Sequence, residues 1–357
     1  MRILGNARRV ARRFVREAAS TTLAVAIGLG GWVFGPADPA SAAVPGISSW
    51  RVDQVAGRSL PDPVTASPAQ VAAFFAGLTT GQRGDLARRY PQIVGNLDGV
   101  PVDLRVDVNR HRSAWAAGRH LLAYDARGDG RAAEVVGDLD NADRIAIIVP
   151  GVDTRLDNFD RGQARRQRRS PVWQAHQLYD QVRATDPAAR LAVIAWLGYD
   201  PPEGIGRDAI REERARAGAT ALKKFVAGLA ASRPAAAVTV VGHSYGSVVA
   251  GLAARSLDPA VHDIVALGSP GMGVDRAADL GTAARIWAGT SRSDWTRNLP
   301  GLRLWGAGHG TLPVDAGFGA RRLPADDVVD HDGYFVSGTD SLRALAGIVL
   351  ASPHRPG

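Results

Sequence analysis

A serine hydroxyl attacks a carbonyl only when a base within hydrogen-bond reach takes its proton, and the base needs an acid to hold its tautomer and steady the cation it becomes. Gly242-His243-Ser244-Tyr245-Gly246 offers such a serine. Before it, Ala237-Val238-Thr239-Val240-Val241 has the β-branched, apolar character of a short buried strand. After it, Ser247 to Arg255 is a run of small and apolar residues suited to a tightly packed helix. Strand, sharp turn and helix together would lift the Ser244 Oγ above the end of a sheet, with glycine on either side to let the backbone turn. In a chain with 41 glycines the bare pattern is weak evidence, and the strand and helix around it carry the reading.

In sites of this kind the partners follow in the order serine, acid, histidine. After Ser244 come His262, His309, His331 and His354. His262 precedes a strand, at the wrong end of a sheet, and His354 lies in the tail. His331, in Asp330-His331-Asp332-Gly333-Tyr334-Phe335, stands between a short strand expected over Ala320 to Leu323 and a terminal helix expected over Ser341 to Leu350, where the base belongs. His309, in Gly308-His309-Gly310, is the alternative, a loop histidine near the mouth. For the acid, Asp294 follows a strand ending at Ala288 and so falls at the carboxyl edge of the sheet. Asp263 begins a strand, Asp315, Asp326 and Asp327 read as surface charges, and Asp200 precedes the nucleophile and is expected to line the pocket. Attack builds negative charge on the carbonyl oxygen, which backbone N–H groups must receive. Tyr245, next after the serine, supplies one, and Val152, in Pro150-Gly151-Val152-Asp153 after an apolar run, supplies the other.

The elements that position these residues are apolar runs separated by helical patterns. His120 to Tyr124 and Ala133 to Val136, joined through Gly128-Asp129-Gly130, read as antiparallel starting strands. Ile145 to Val149, Leu191 to Trp196, the run before Ser244, Ile264 to Leu267 and Arg285 to Ala288 follow, with a long helical pattern over Arg211 to Ala231. Near-continuous apolar strands alternating with helices predict an α/β fold, a mostly parallel sheet covered on both faces. Residues 44–115 are mainly helical, with Ser67-Pro68 opening one helix and a second ending before Pro91. We read them as a helical extension or lid, and 116–357 as the catalytic domain.

Composition narrows the function. The formal charge of +8 divides evenly, because residues 1–43 carry +4. The remainder is too weakly basic for a phosphate-binding face, and no nucleic-acid partner is expected. The dense run Arg161 to Arg169 reads as a solvated loop or helix face. With no cysteine, thiol chemistry and disulfides are excluded, and no metal or organic cofactor motif occurs. Residues 1–43 have the order of a cleaved export signal: arginines, then an apolar stretch from Thr22 to Phe34, then Ala40-Ser41-Ala42-Ala43. If uncleaved, they would anchor the protein to a membrane with the enzyme outside.

Several segments in order carry a resemblance: Tyr90-Pro91, Gly95-Asn96-Leu97-Asp98-Gly99-Val100-Pro101, Val149-Pro150-Gly151-Val152, Trp196-Leu197-Gly198-Tyr199-Asp200-Pro201-Pro202, Gly242-His243-Ser244-Tyr245-Gly246-Ser247, Leu267-Gly268-Ser269-Pro270-Gly271, Phe318-Gly319-Ala320 and His331 with Tyr334-Phe335. Over about residues 50–352 the chain resembles an actinobacterial α/β-hydrolase family long catalogued as a domain of unknown function. The resemblance implies an α/β-hydrolase fold, with Ser244 as nucleophile, Asp294 as acid and His331 as base. Members often continue the acid with Pro and an aliphatic residue, whereas Trp295-Thr296 stands here. The expected activity is that of an exported, esterase-like or lipase-like serine hydrolase, acting on a small-molecule or lipid acyl ester, or less readily a thioester or amide. The alternatives are a cell-envelope acyltransferase and a non-catalytic binding protein on the same fold.

Overall fold

The apolar runs assemble into one eight-stranded sheet in a computed structural model, which describes residues 44–303 and 307–353. The segment read as an export signal, residues 1–43, and the tail holding His354 lie outside the described residues. After a small antiparallel hairpin of β1 (Gln54–Val55) and β2 (Arg58–Ser59), the main sheet starts with β3 (Leu121–Asp125) and β4 (Arg131–Gly137). It continues with β5 (Arg144–Val149), β6 (Leu191–Leu197), β7 (Ala237–His243), β8 (Val261–Leu267), β9 (Arg285–Gly289) and the two-residue β10 (Arg321–Arg322). The spatial order is β10-β9-β8-β7-β5-β6-β4-β3. Strands β5 to β10 are mutually parallel, and β4 joins β6 and β3 antiparallel.

Burial on both faces explains why these strands read as continuous apolar runs. Ile145, Ile147 and Val149 of β5 face one core, with the helices Glu213–Ser232 and Gly246–Ala253. Ala146 and Ile148 face the other, with Pro171–Thr185 and Asp340–Ala351. The chain leaves β5 for β6 on one side and then crosses to β7 on the other, so the switch in strand order falls between β5 and β7. A crevice opens outside the carboxyl ends of strands at such a point. Val149 pairs with Gly242, His243 with Leu267 and Leu267 with Gly289, which aligns the loops after β5, β7, β8 and β9 along one edge.

Residues 44–115 build their own apolar cluster around Trp50, Phe75, Leu86 and Tyr90, and they contain more helices than the two read from sequence. Ser67 with Gln70 and Thr79 with Gln82 form reciprocal caps that start the helices Pro68–Ala76 and Thr80–Arg89. The cluster sits at the β3 edge. Buried Asn109 donates to Gly95 O and Leu121 O at 2.7 and 3.0 Å, and the Arg105 side chain donates to Leu122 O at 2.7 Å.

Candidate active site

Ser244 follows β7 directly and has φ 55°, a left-handed backbone that a residue with a side chain holds only where its surroundings impose it. Its N–H donates to Leu267 O at 2.9 Å, and the Ser247 hydroxyl donates to Ser244 O at 2.6 Å. The strain therefore sits on the serine. The two glycines serve through close approach: a Cβ on Gly242 would stand 2.5 Å from Ser247 Cα, and one on Gly246 would stand 2.1 Å from Val149 O.

Gly151 brings the loop after β5 against the serine, since a Cβ there would lie 2.7 Å from Ser244 Cβ. Among the described residues no backbone carbonyl takes the N–H of Val152 or of Tyr245. The loop is tied down from behind. Tyr199 donates its hydroxyl to Pro150 O at 2.6 Å, Asp153 N–H donates to Pro202 O at 2.9 Å, and Asp153 Oδ1 accepts from Gly204 N–H at 2.6 Å. Asp200, expected to line the pocket, is instead paired with Arg214 and does not line the cleft at Ser244. It is Tyr199 and Pro202 of the same segment that matter, as supports.

Asp294 and His331 come together from loops 37 residues apart, with His331 Nδ1 lying 2.8 and 2.9 Å from the two carboxylate oxygens. Asp294 is 1% exposed and accepts further hydrogen bonds from the Tyr334 hydroxyl at 2.5 Å and from Thr296 N–H and Oγ1 at 2.9 and 2.8 Å. Burial opposes a charge there. The hydrogen bond and charge of His331, with the Tyr334 and Thr296 donors, outweigh it and hold the carboxyl well below the usual carboxylate range. Burial and the Asp294 carboxylate push the Tyr334 phenol up, so it stays a donor. Gly268, at φ 55°, is required for the pair to meet, because a Cβ on it would stand 2.7 Å from Asp294 Oδ2. After the acid, Trp295 packs its ring 5.1 Å from the His331 ring and Thr296 grips the carboxylate.

His331 Nδ1 is committed to Asp294, which leaves Nε2 for the cleft that His331 shares with Ser244, Gly151 and Val152. His309 is placed elsewhere: its Nε2 donates to Ala209 O at 2.7 Å and its ring packs edge-on against Tyr245. His243, inside the turn, was not singled out from the sequence. Burial, reinforced by the neighbouring His331, pushes it down to about 4, so it is a neutral donor from Nε2 to His331 O at 2.7 Å. Asp263 is a buried partner of Arg285 at 2.7 Å, far along β8 from the site. Among the basic run, Arg161, Arg165, Arg166 and Arg168 are exposed as expected, but Arg169 lines the cleft and pairs with Asp332 at 3.2 Å. Gln163 and Gln174 line it too. The cleft encloses about 20 Å³, on the order of one water molecule.

Residues 125–304, half of the chain, match the family described as alpha/beta hydrolase, and with the sheet described above this places the chain in that family. An uncharacterised protein of Mycobacterium tuberculosis strain H37Rv is 28% identical over 404 residues, covering 84% of this chain and 60% of that protein. One from Mycobacterium bovis is 35% identical over 224 residues, covering 57% of this chain and 76% of the relative. The chain thus spans about 60% of the length of the first of these relatives. Among solved structures, an α/β serine hydrolase without lid from Xanthomonas campestris is 14% identical, covering 63% of this chain and 92% of its own, with a TM-score of 0.37. An esterase is 13% identical over 61% of this chain and 97% of its own, with a TM-score of 0.40.

Proposed function

We propose that this alpha/beta hydrolase is a serine hydrolase that cleaves an ester through an acyl-enzyme, with Ser244 as nucleophile, His331 as base and Asp294 as acid. One observation carries the reading. His331 is locked to a buried, fully hydrogen-bonded carboxylate through Nδ1 at 2.8 Å while sharing a cleft with a serine strained at φ 55°. In the reaction Ser244 Oγ adds to the substrate carbonyl and its proton passes to His331 Nε2. Asp294 steadies the imidazolium that forms. The N–H groups of Val152 and Tyr245 receive the oxyanion. Collapse of the tetrahedral intermediate expels the alkoxide, which takes the proton from His331. Water then repeats the sequence on the acyl-serine and frees the acid. We place the reaction outside the cytoplasm, on the order of basic, apolar and small-residue segments in residues 1–43. Rapid mixing with p-nitrophenyl acetate tests the acyl-enzyme. A burst of p-nitrophenol stoichiometric with enzyme and absent in Ser244→Ala is expected, and equal turnover by the variant would refute the assignment.

A further inference from the structure

Two glutamines that line the cleft of the reacting serine have side-chain oxygens with no hydrogen-bond partner. Gln174, in the first turn of the helix Pro171–Thr185, is 2% exposed. Its Nε2 donates to Arg168 O at 2.9 Å, which fixes the orientation of the carboxamide and turns Oε1 away from that bond. Gln174 Oε1 is buried with no hydrogen-bond partner, and so is Gln163 Oε1. Both residues line the Ser244 cleft. Gln163 is held there at a cost in backbone strain, since the next two residues, Ala164 and Arg165, stand at φ 52° and 57°. A buried acceptor without a donor is costly, and beside a reacting group a donor on the substrate is one way to satisfy it. The cleft holds only about 20 Å³, and its remaining lining includes the Arg169–Asp332 pair and Asn158. An alkyl chain entering it would bury these polar groups against carbon.

Building on the hydrolase reading above, we propose that Gln174 and Gln163 are specificity-determining residues that accept hydrogen bonds from an O–H or N–H group borne on the substrate close to the scissile carbonyl. The preferred substrates are then esters of small hydroxylated or amide-bearing acids, and not those of fatty acids. A site built to bond a substrate hydroxyl discriminates strongly against the analogue that lacks it, because its own polar groups are left unpaired.

The test compares p-nitrophenyl 3-hydroxypropionate with p-nitrophenyl butyrate, a pair in which hydroxyl replaces methyl, each kcat/KM divided by the ester's rate with hydroxide. The wild type is expected to favour the hydroxylated ester. Gln174→Met should shrink that corrected ratio by roughly 5- to 150-fold, the range of a buried acceptor left unpaired. Gln163→Met, on the loop, should shrink it in the same direction and serves if thermal unfolding shows Gln174→Met to be misfolded. A corrected ratio that favours butyrate, or one unchanged in both folded variants, would overturn the proposal and mean that water satisfies the two oxygens. Labelling of the wild type by a fluorophosphonate, which carries no donor, separates the two readings. Label on Ser244 with no hydroxyl preference sinks this inference alone, whereas no label on Ser244 sinks both.

Discussion

Asp294 shows how much of the site depends on groups that never touch substrate. Four hydrogen bonds from Tyr334, Thr296 and His331 converge on one buried carboxylate, and each donor keeps it charged and aimed at the imidazole. Tyr334→Phe removes one of them and leaves Ser291 N–H, which donates to the phenol oxygen at 3.0 Å, without its acceptor. It should cost about 1.5–3 kcal/mol of stability in urea unfolding and lower kcat more than it changes KM. Full retention of both would show that the phenol is a bystander. His243 makes a pH prediction. Its folded value is depressed to about 4, so between about pH 6.5 and 4 the unfolded chain binds a proton that the folded chain does not. Its contribution is intact above about pH 6.5, declines as pH falls through that window and is fully lost below about 4. Urea midpoints measured across the window should therefore fall less steeply for His243→Gln than for the wild type, and parallel curves would refute the buried neutral state.

At the scale of elements, the parallel strands were legible because burial on both faces leaves an apolar run with no alternation to misread. The loops after β7 and β9 and before the terminal helix were legible because an ordered chemistry of serine, acid and histidine constrained where to look. What escaped the sequence are contacts across long separations. Arg169 meets Asp332 163 residues away, so a basic run that looked uniformly solvated contributes one member to the cleft. The Tyr334 phenol reaches Asp294 across 40 residues, and nothing in the local pattern marks it as anything but core. From sequence the glycines around Ser244 read as conformational devices, and in the fold they are steric ones. Gly151 is the sharpest case, because it sets how close the loop after β5 comes to the serine. Gly151→Ala would drive a methyl group to 2.7 Å from Ser244 Cβ and push the Val152 N–H out of place. Loss of one oxyanion donor predicts a fall in kcat of about 10²–10³-fold. Unchanged kcat in the variant would remove Val152 from the mechanism.

For the whole molecule, the extension of residues 44–115 rests on the β3 edge, and the residues lining the Ser244 cleft come from the loops after β5 and β7, the segment from Thr154 to Gln174, and the His331 loop. Of the arginine-rich segment, Gln163 and Arg169 border this cleft. The positive charge divides evenly between residues 1–43 and the rest of the chain, and the order of basic, apolar and small residues in 1–43 predicts a mature protein that starts near Ala43 or Val44. Mass spectrometry of protein recovered from outside the cells should find that terminus, and recovery only in membranes with residues 1–43 attached would favour an anchor. Activation of Ser244 by a His331 that Asp294 holds is read out by peptide mapping after reaction with a fluorophosphonate. A single phosphonylated residue is expected, Ser244, with label abolished in Ser244→Ala, reduced by orders of magnitude in His331→Ala and retained in His309→Ala. Full labelling of Ser244→Ala, or label lost in His309→Ala but kept in His331→Ala, would contradict it.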